Sequence, residues 1–355
     1  MKKIILTGGG TAGHVTPNLA LLPGLKEQNY EVLYIGGKNG MEKDMVEHAG
    51  VPFCGISTGK LRRYFDLKNF TDPFRVIKGF FEAGSIIRDF QPDVVFSKGG
   101  FVAVPVTAAA WLKHVPVISH ESDMTPGLAN RLAAPFARKI CCNFPETLSY
   151  LPKGKGVLSG SPIRRELLSG SRERGLSMLG FDCAKPVLLV IGGSLGAQHI
   201  NEMVRRCLDR LLADYQLVHL CGRGNLEEGL EGKEGYRQFE FVTEELKDYF
   251  AAADICISRA GANAICELLA LKKPNLLIPL GTSASRGDQI LNAESFERQG
   301  FSMVLKEEDM TEETLLDCVR RLWKDRERYA AAMKASPVSS GVEVILEQIW
   351  EVTAS

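Results

Sequence analysis

The sequence predicts an α/β chain built as two doubly wound parallel-sheet domains, on three observations. Short apolar, β-prone runs alternate with stretches of helical spacing along nearly the whole chain. A glycine-rich strand-to-helix turn occurs twice, as LTGGGTAGH early in the chain and as VIGGSLGAQ past its middle. The third is size and composition: 355 residues, 45% hydrophobic and 24% charged, are ordinary for a globular protein but long for one core.

Strand-like runs fall at Ile4–Thr7, Val32–Ile35, Phe53–Ser57, Val94–Ser97, Val117–His120 and Ile140–Asn143, with a short one near Val157. Helical spacing covers Leu19–Gln28, Glu42–His48, Val76–Phe90 and Val104–Lys113 between them, and strands separated by helices pair in parallel. The pattern pauses at Gly160-Ser161-Pro162. It restarts with Val187–Ile191 and a helix from Gln198 to Leu212. Strands follow at Leu217–Leu220, Phe239–Val242, Ile255–Ser258, Asn275–Pro279 and Met303–Leu305. The closing stretch Val342–Val352 has helical apolar spacing and must dock on one of the sheets. Two such domains are expected to face each other across a cleft, with ligands outside the carboxyl ends of the strands.

The first turn organises the chain. Ile4, Ile5 and Leu6 break into Gly8, Gly9 and Gly10, and Thr11, Ala12, Gly13 and His14 lead into a helix with Pro17 in its first turn. Strand, glycine turn and helix N-terminus together form an anion site. Gly8-x-Gly10-x-x-Gly13 matches the dinucleotide fingerprint, yet the second strand ends in Gly36, Gly37 and Lys38, without the acid that would hold a ribose. The reading is a phosphate-handling loop with a titratable histidine attached. A plain strand-to-helix turn, with His14 bonded to the backbone, is the alternative.

No stretch reaches the roughly 18 apolar residues of a membrane span, and no signal peptide precedes the first strand. Nine cysteines form no CxxC pair and read as buried thiols in a reducing cytosol, neither disulfides nor a zinc site. Net charge is zero, but residues 1–160 hold 19 Lys+Arg against 13 Asp+Glu, so an anionic partner is expected on that half.

Seven motifs carry a resemblance: GGGTAGHVTP, SKGGFVAVP, HESDMTPGLAN, GSPIRREL, GGSLGA, SRAGANAICE and GDQILNA. In this order and spacing, from about residue 3 to 350, the chain resembles the MurG family of peptidoglycan N-acetylglucosaminyltransferases. The resemblance implies a GT-B fold, with an acceptor- and membrane-facing domain at 1–160 plus 338–355 and a UDP-GlcNAc-binding domain at 161–337. It implies metal-independent, inverting transfer from UDP-GlcNAc to lipid I, giving lipid II, without a cofactor, at the cytoplasmic face of the cell membrane, with other cell-wall enzymes as candidate partners.

By the same resemblance Thr11, Ala12 and Gly13 form the first glycine loop, which handles the phosphates and transferring sugar of UDP-GlcNAc, with Ala12 where the family usually has glycine. Arg164 matches the interdomain PxR arginine and Ser194 the serine of the second loop. Val242 reads the uracil through its backbone, Arg259 and Glu267 fit SRAG…E with the acid on the ribose, and Gln289 contacts GlcNAc. Gly99, Gly100, Asp123 and Asn130 fall on the acceptor side. Asp288 and the Ser122-Asp123 pair depart from the family pattern.

His14 is the candidate base, with Glu121 second. No DxD-like acidic pair marks a metal-held diphosphate, so its charge falls to the Gly192–Ala197 loop, Ser194 and Arg164. Lys60–Phe81 interleaves six basic residues and two acidic ones with aromatics. It is either a loop with an amphipathic core helix or a surface for an anionic leaflet. Nothing else supports nucleic acid as its partner. The rival readings are a UDP-GlcNAc 2-epimerase-like enzyme and a non-catalytic nucleotide-sugar-binding protein.

Overall fold

The computed structural model describes residues 1–59, 68–193, 196–281, 287–336 and 341–354, with the side chains of 68–71 and 73 also outside the description. The chain divides into two compact units, Met1–Arg164 with Ser340–Ser355, and Arg165–Ser339.

In the first unit the strands are β1 (Lys2–Thr7), β2 (Tyr30–Gly37), β3 (Phe53–Ile56), β4 (Val94–Ser97), β5 (Val117–Glu121), β6 (Lys139–Cys142) and β7 (Gly156–Leu158). They pair in parallel in the order β3-β2-β1-β4-β5-β6-β7. Both faces are covered, so the strands read as unbroken apolar runs. Ile4 and Leu6 point to one core, shared with Leu21, Leu25 and the closing helix Gly341–Ala354. Ile5 points to the other, shared with Ala83 and Ile87 of the Lys68–Phe90 helix and Val106 and Ala110 of the Ala103–Leu112 helix.

The closing helix contributes Val342, Ile345, Leu346, Ile349 and Val352 to the first core. The Thr353 hydroxyl bonds Lys2 Nζ at 2.9 Å and Tyr30 Oη at 2.8 Å. Ile349→Ala is expected to destabilise this unit by about 2–5 kcal/mol, because a fully buried side chain leaves a cavity that closes only in part. Calorimetry should show its unfolding transition lowered, and an unmoved transition would mean that the helix contributes little.

The second unit has β8 (Val187–Ile191), β9 (Gln216–Leu220), β10 (Tyr236–Phe239), β11 (Ile255–Ser258), β12 (Asn275–Leu277) and β13 (Met303–Val304), parallel in the order β10-β9-β8-β11-β12-β13. Strand order turns between β1 and β4 in one sheet and between β8 and β11 in the other. These are the switch points at which an open α/β sheet leaves a crevice outside its carboxyl ends.

Four local expectations need correction. Pro17 lies in the interior of the Ala12–Ala20 helix, not in its first turn, and a new helix starts at Leu22 after the turn that the missing N–H helps to end. The Gln198–Leu212 run is two helices, Gln198–Arg206 and Leu208–Asp214, meeting at Cys207. The helix ending at Phe90 begins at Lys68, before Pro73 rather than after it. Strand β10 stops at Phe239, so Val242 lies in the loop beyond it.

Candidate active site

At the first switch point two glycine loops interlock. Gly100, at φ +84°, has its α-carbon against the Gly9 backbone, where a β-carbon would collide with the Gly9 carbonyl. Thr11 caps the Ala12–Ala20 helix without a side-chain capping bond, and the His14 N–H donates to the Thr11 carbonyl at 3.1 Å. Glu42, 2% exposed, reaches into this loop and accepts from Gly37 N–H at 2.7 Å and, weakly, from Gly10 N–H at 3.4 Å. A β-carbon on Gly9 or Gly40 would strike its carboxylate. Gly10 is thereby turned to a resident acid, an arrangement the sequence reading missed.

His14 Nδ1 lies 3.2 Å from the Lys98 carbonyl oxygen. A carbonyl only accepts, so Nδ1 carries the proton and Nε2 the lone pair. Burial, assisted by the Lys98 charge, lowers the His14 pKa to about 4. Lys98 itself follows β4 and is fully buried. Its Nζ lies 2.9 Å from His120 Nδ1 and also donates to Ser122 Oγ. His120 Nε2 donates to the Gly160 carbonyl at 3.0 Å, and burial followed by Lys98 holds this imidazole well below its ordinary pKa.

Glu121 is buried and takes four donors: Ser122 N–H at 2.8 Å, Asp123 N–H at 3.0 Å, Gly127 N–H at 3.0 Å and Asn130 Nδ2 at 2.8 Å. Burial raises its pKa, opposed by these bonds. Its lone pairs are committed to tying the loop. Asn130 also donates to the His120 carbonyl at 3.2 Å, and its buried Oδ1, with no partner, sits where a β-carbon on Gly99 would be. The first unit thus gathers Thr11, Ala12, Gly13, His14, Gly99, Gly100, Glu121, Asp123 and Asn130 around one strand-end region.

Arg164 closes this unit with a buried Nε that has no partner, a donor suited to a phosphate oxygen. In the second unit Ser194 lies outside the described residues. Arg259, just past β11, pairs with Glu307 at 2.5 Å and donates to the Ile278 carbonyl at 3.1 Å. Burial alone would raise the Glu307 pKa; Arg259, Gly281 N–H and His199 outweigh it and hold the carboxylate below its usual range. Glu267 sits half-buried on the Ala262–Leu271 helix that begins at this switch point. Gln289 Oε1 accepts from Leu280 N–H at 3.1 Å, and Asp288 opens the Asp288–Arg298 helix, which carries Gln289, after Gly287.

Lys98, Glu42 and Glu307 were not singled out from sequence. Lys98 left one signal, a lysine directly after a four-residue buried strand. The acids left none, since their partners lie 32 and 48 residues away.

Acidification should destabilise the fold. His14, His120 and His219, the last lowered to about 3 by burial and Arg205, are neutral when folded and bind protons near pH 6.5 when unfolded. The unfolded chain therefore takes up more protons as pH falls through 6.5, at up to about 1.4 kcal/mol per pH unit per histidine. Glu121 works in the opposite sense, its raised pKa favouring the folded state on acidification, but it is one group against three. Urea midpoints measured from pH 7.5 to 4.5 should fall; a flat profile would contradict the buried-neutral assignment.

Two doubly wound parallel-sheet α/β units make up the GT-B architecture, and the family models give its class as a glycosyltransferase. The glycosyltransferase family 28 N-terminal domain matches residues 4–142 and the family 28 C-terminal domain matches residues 187–349. A Lachnospira eligens protein named UDP-N-acetylglucosamine--N-acetylmuramyl-(pentapeptide) pyrophosphoryl-undecaprenol N-acetylglucosamine transferase is 60% identical over 349 residues, 98% of this chain and 99% of its own. A protein of the same name from Lachnoclostridium phytofermentans is 58% identical over 352 residues, 99% of each chain. The crystal structure of Acinetobacter baumannii MurG superposes with a TM-score of 0.79 at 25% identity, covering 99% of this chain and 100% of that one. The chain belongs to the MurG family within glycosyltransferase family 28.

Proposed function

We propose that this glycosyltransferase moves N-acetylglucosamine from UDP-GlcNAc to the muramyl hydroxyl of undecaprenyl-pyrophosphoryl-MurNAc-pentapeptide, with inversion and without a metal. The observation that carries the chemistry is the pinning of His14 Nδ1 by the Lys98 carbonyl, which turns the Nε2 lone pair into the available base. The acceptor hydroxyl gives its proton to Nε2 as its oxygen attacks the anomeric carbon, and the UDP oxygen leaves from the opposite face. Arg164 Nε and the Gly192–Ala197 loop with Ser194 take up the charge of the leaving diphosphate.

In this reading the first unit holds the acceptor through Gly99, Gly100, Asp123 and Asn130, while its first glycine loop, Thr11, Ala12 and Gly13, handles the phosphates and transferring sugar of UDP-GlcNAc. The second unit holds the rest of the donor: Val242 presents its backbone to the uracil, Glu267 takes the ribose hydroxyls and Gln289 meets the sugar. Arg259 orders the Gly281 turn through Glu307.

The acceptor tail stays in a bilayer, whereas no helix among the described residues is long and apolar enough to cross one. The protein therefore works as a peripheral enzyme at the cytoplasmic leaflet. The face that meets the leaflet is the exposed stripe of Phe74, Ile77 and Phe81, flanked by Arg75 and Lys78. Residues 60–67 of the basic-aromatic stretch lie outside the described residues.

Labelled GlcNAc should pass to a short-chain analogue of the lipid acceptor, in excess EDTA, and only when that acceptor is present. Release of free ManNAc from UDP-GlcNAc alone would favour the epimerase reading, which the names of the 56–60% identical relatives disfavour. Binding without any turnover would leave a nucleotide-sugar sensor. Loss of transfer in EDTA, restored by Mg²⁺, would overturn the metal-free part.

A further inference from the structure

A lysine with no exposed surface directly after a central strand is an expensive residue to keep. Taking its charge out of water is unfavourable unless its donors are met, and a methionine would fill a similar volume without that cost. Lys98 stands at the β1/β4 switch point, and both ends of the residue are used. Its Nζ is held by His120 Nδ1 at 2.9 Å and by Ser122 Oγ, and its carbonyl oxygen is held by His14 Nδ1 at 3.2 Å. The contacts run in one direction. The Gly160 carbonyl fixes the proton of His120 on Nε2, so His120 Nδ1 must accept, and the lysine donates to it.

We propose that Lys98 is a positioning residue for the transfer reaction: its ammonium, braced by His120 and Ser122, and its carbonyl together keep His14 in the Nδ1–H tautomer with Nε2 unprotonated toward the acceptor hydroxyl. This rests on the reading of His14 as the base.

Other ionisable groups surround the cluster. His120 and Glu121 lie on β5, Asp123 on the loop after it, Cys141 on β6 and Glu42 against the first glycine loop. Burial, more than any charge, pushes the Cys141 thiol up to about 12, so it stays protonated and uncharged. The carboxylates would each favour a protonated imidazole. Lys98 is the group that acts against them, and its charge lowers the pKa of both His14 and His120 after burial has done so.

Histidine-labelled protein observed by ¹⁵N NMR tests this directly. In the wild type His14 should show the Nδ1–H tautomer and stay neutral from pH 8 down to pH 5. In Lys98→Met its titration midpoint should rise by about one pH unit or more, since a like charge has been removed from its surroundings. The acidic limb of kcat, measured with a soluble short-chain acceptor, should rise with it. Lys98→Arg, which keeps the charge, should restore the wild-type midpoint.

A folded Lys98→Met protein with an unmoved His14 midpoint would reduce Lys98 to a structural role. Should that variant fail to fold, the wild type still decides: a His14 that titrates near the ordinary 6.5, or carries its proton on Nε2, overturns the proposal. If the His14 midpoint moves and the kcat profile does not, Lys98 keeps its role toward the imidazole. It is then the reading of His14 as base that falls.

Discussion

His14→Ala should lower kcat by about 10²–10⁴-fold while leaving the affinity for UDP-GlcNAc nearly unchanged. The imidazole belongs to the first unit, whereas the residues proposed for the nucleotide lie mostly in the second. Removing it should therefore cost transition-state stabilisation rather than donor binding. A pKa of about 4 means that the neutral form is fully populated at pH 7, at the price of a weak base. The acceptor's own pyrophosphate would correct this, because an anion beside the glycine loop favours the protonated imidazole and raises its basicity.

Two consequences can be separated in the pH profiles. The acidic limb of kcat/KM, which reports the free enzyme, should lie near 4. The limb of kcat, which reports the bound complex, should lie above it. Both limbs should vanish in His14→Ala. A loss confined to KM would make His14 a binding group and reopen the question of the base. Glu121 would then need to release at least one of its four donors before it could act.

The sequence carried the architecture because period and punctuation are local signals. Val94–Ser97 reads as a buried strand on its own, and GGGTAGH reads as a strand-to-helix turn on its own. The points that failed depend on tertiary context. Pro17 looked like a first-turn residue because prolines prefer that place, yet the helix starts five residues earlier and ends soon after it. Cys207 carries no breaking signal, but two helices meet there.

The site divides in the same way. The glycines of both loops could be read as places of close backbone approach, and Gly100 against Gly9 is such a place. The role of Lys98 could not be read, because it follows from a histidine 22 residues further along and a helix that begins more than 80 residues earlier. Arg259 was legible as a functional arginine only through the family pattern. Its partner Glu307 comes from a distant short helix.

The second large effect is expected at the membrane. On the Lys68–Phe90 helix, Ala83 and Ile87 face the core. Phe74, Ile77 and Phe81 follow at spacings of three and four on a stripe that stays in solvent, with Phe74 74% and Phe81 69% exposed. Trp111 and Leu112, at the end of the helix packed beside it, are exposed as well. Isolated exposed apolar residues mean little, but a stripe of large ones rimmed by Arg75 and Lys78 is the pattern of an interfacial helix.

Each basic group near an anionic leaflet contributes about 1 kcal/mol, and inserted aromatic rings add a part that salt does not screen. Phe74→Ser and Phe81→Ser combined with Arg75→Glu and Lys78→Glu should therefore lower partitioning onto anionic phospholipid vesicles by more than about 100-fold. The charge pair alone should lower the salt-sensitive fraction, and the phenylalanine pair alone the salt-resistant one. Because the four side chains are exposed, thermal stability should change little, and transfer to a soluble short-chain acceptor should continue at the wild-type rate. If the fourfold variant sediments with vesicles as fully as the wild type, this helix is not the face that meets the membrane.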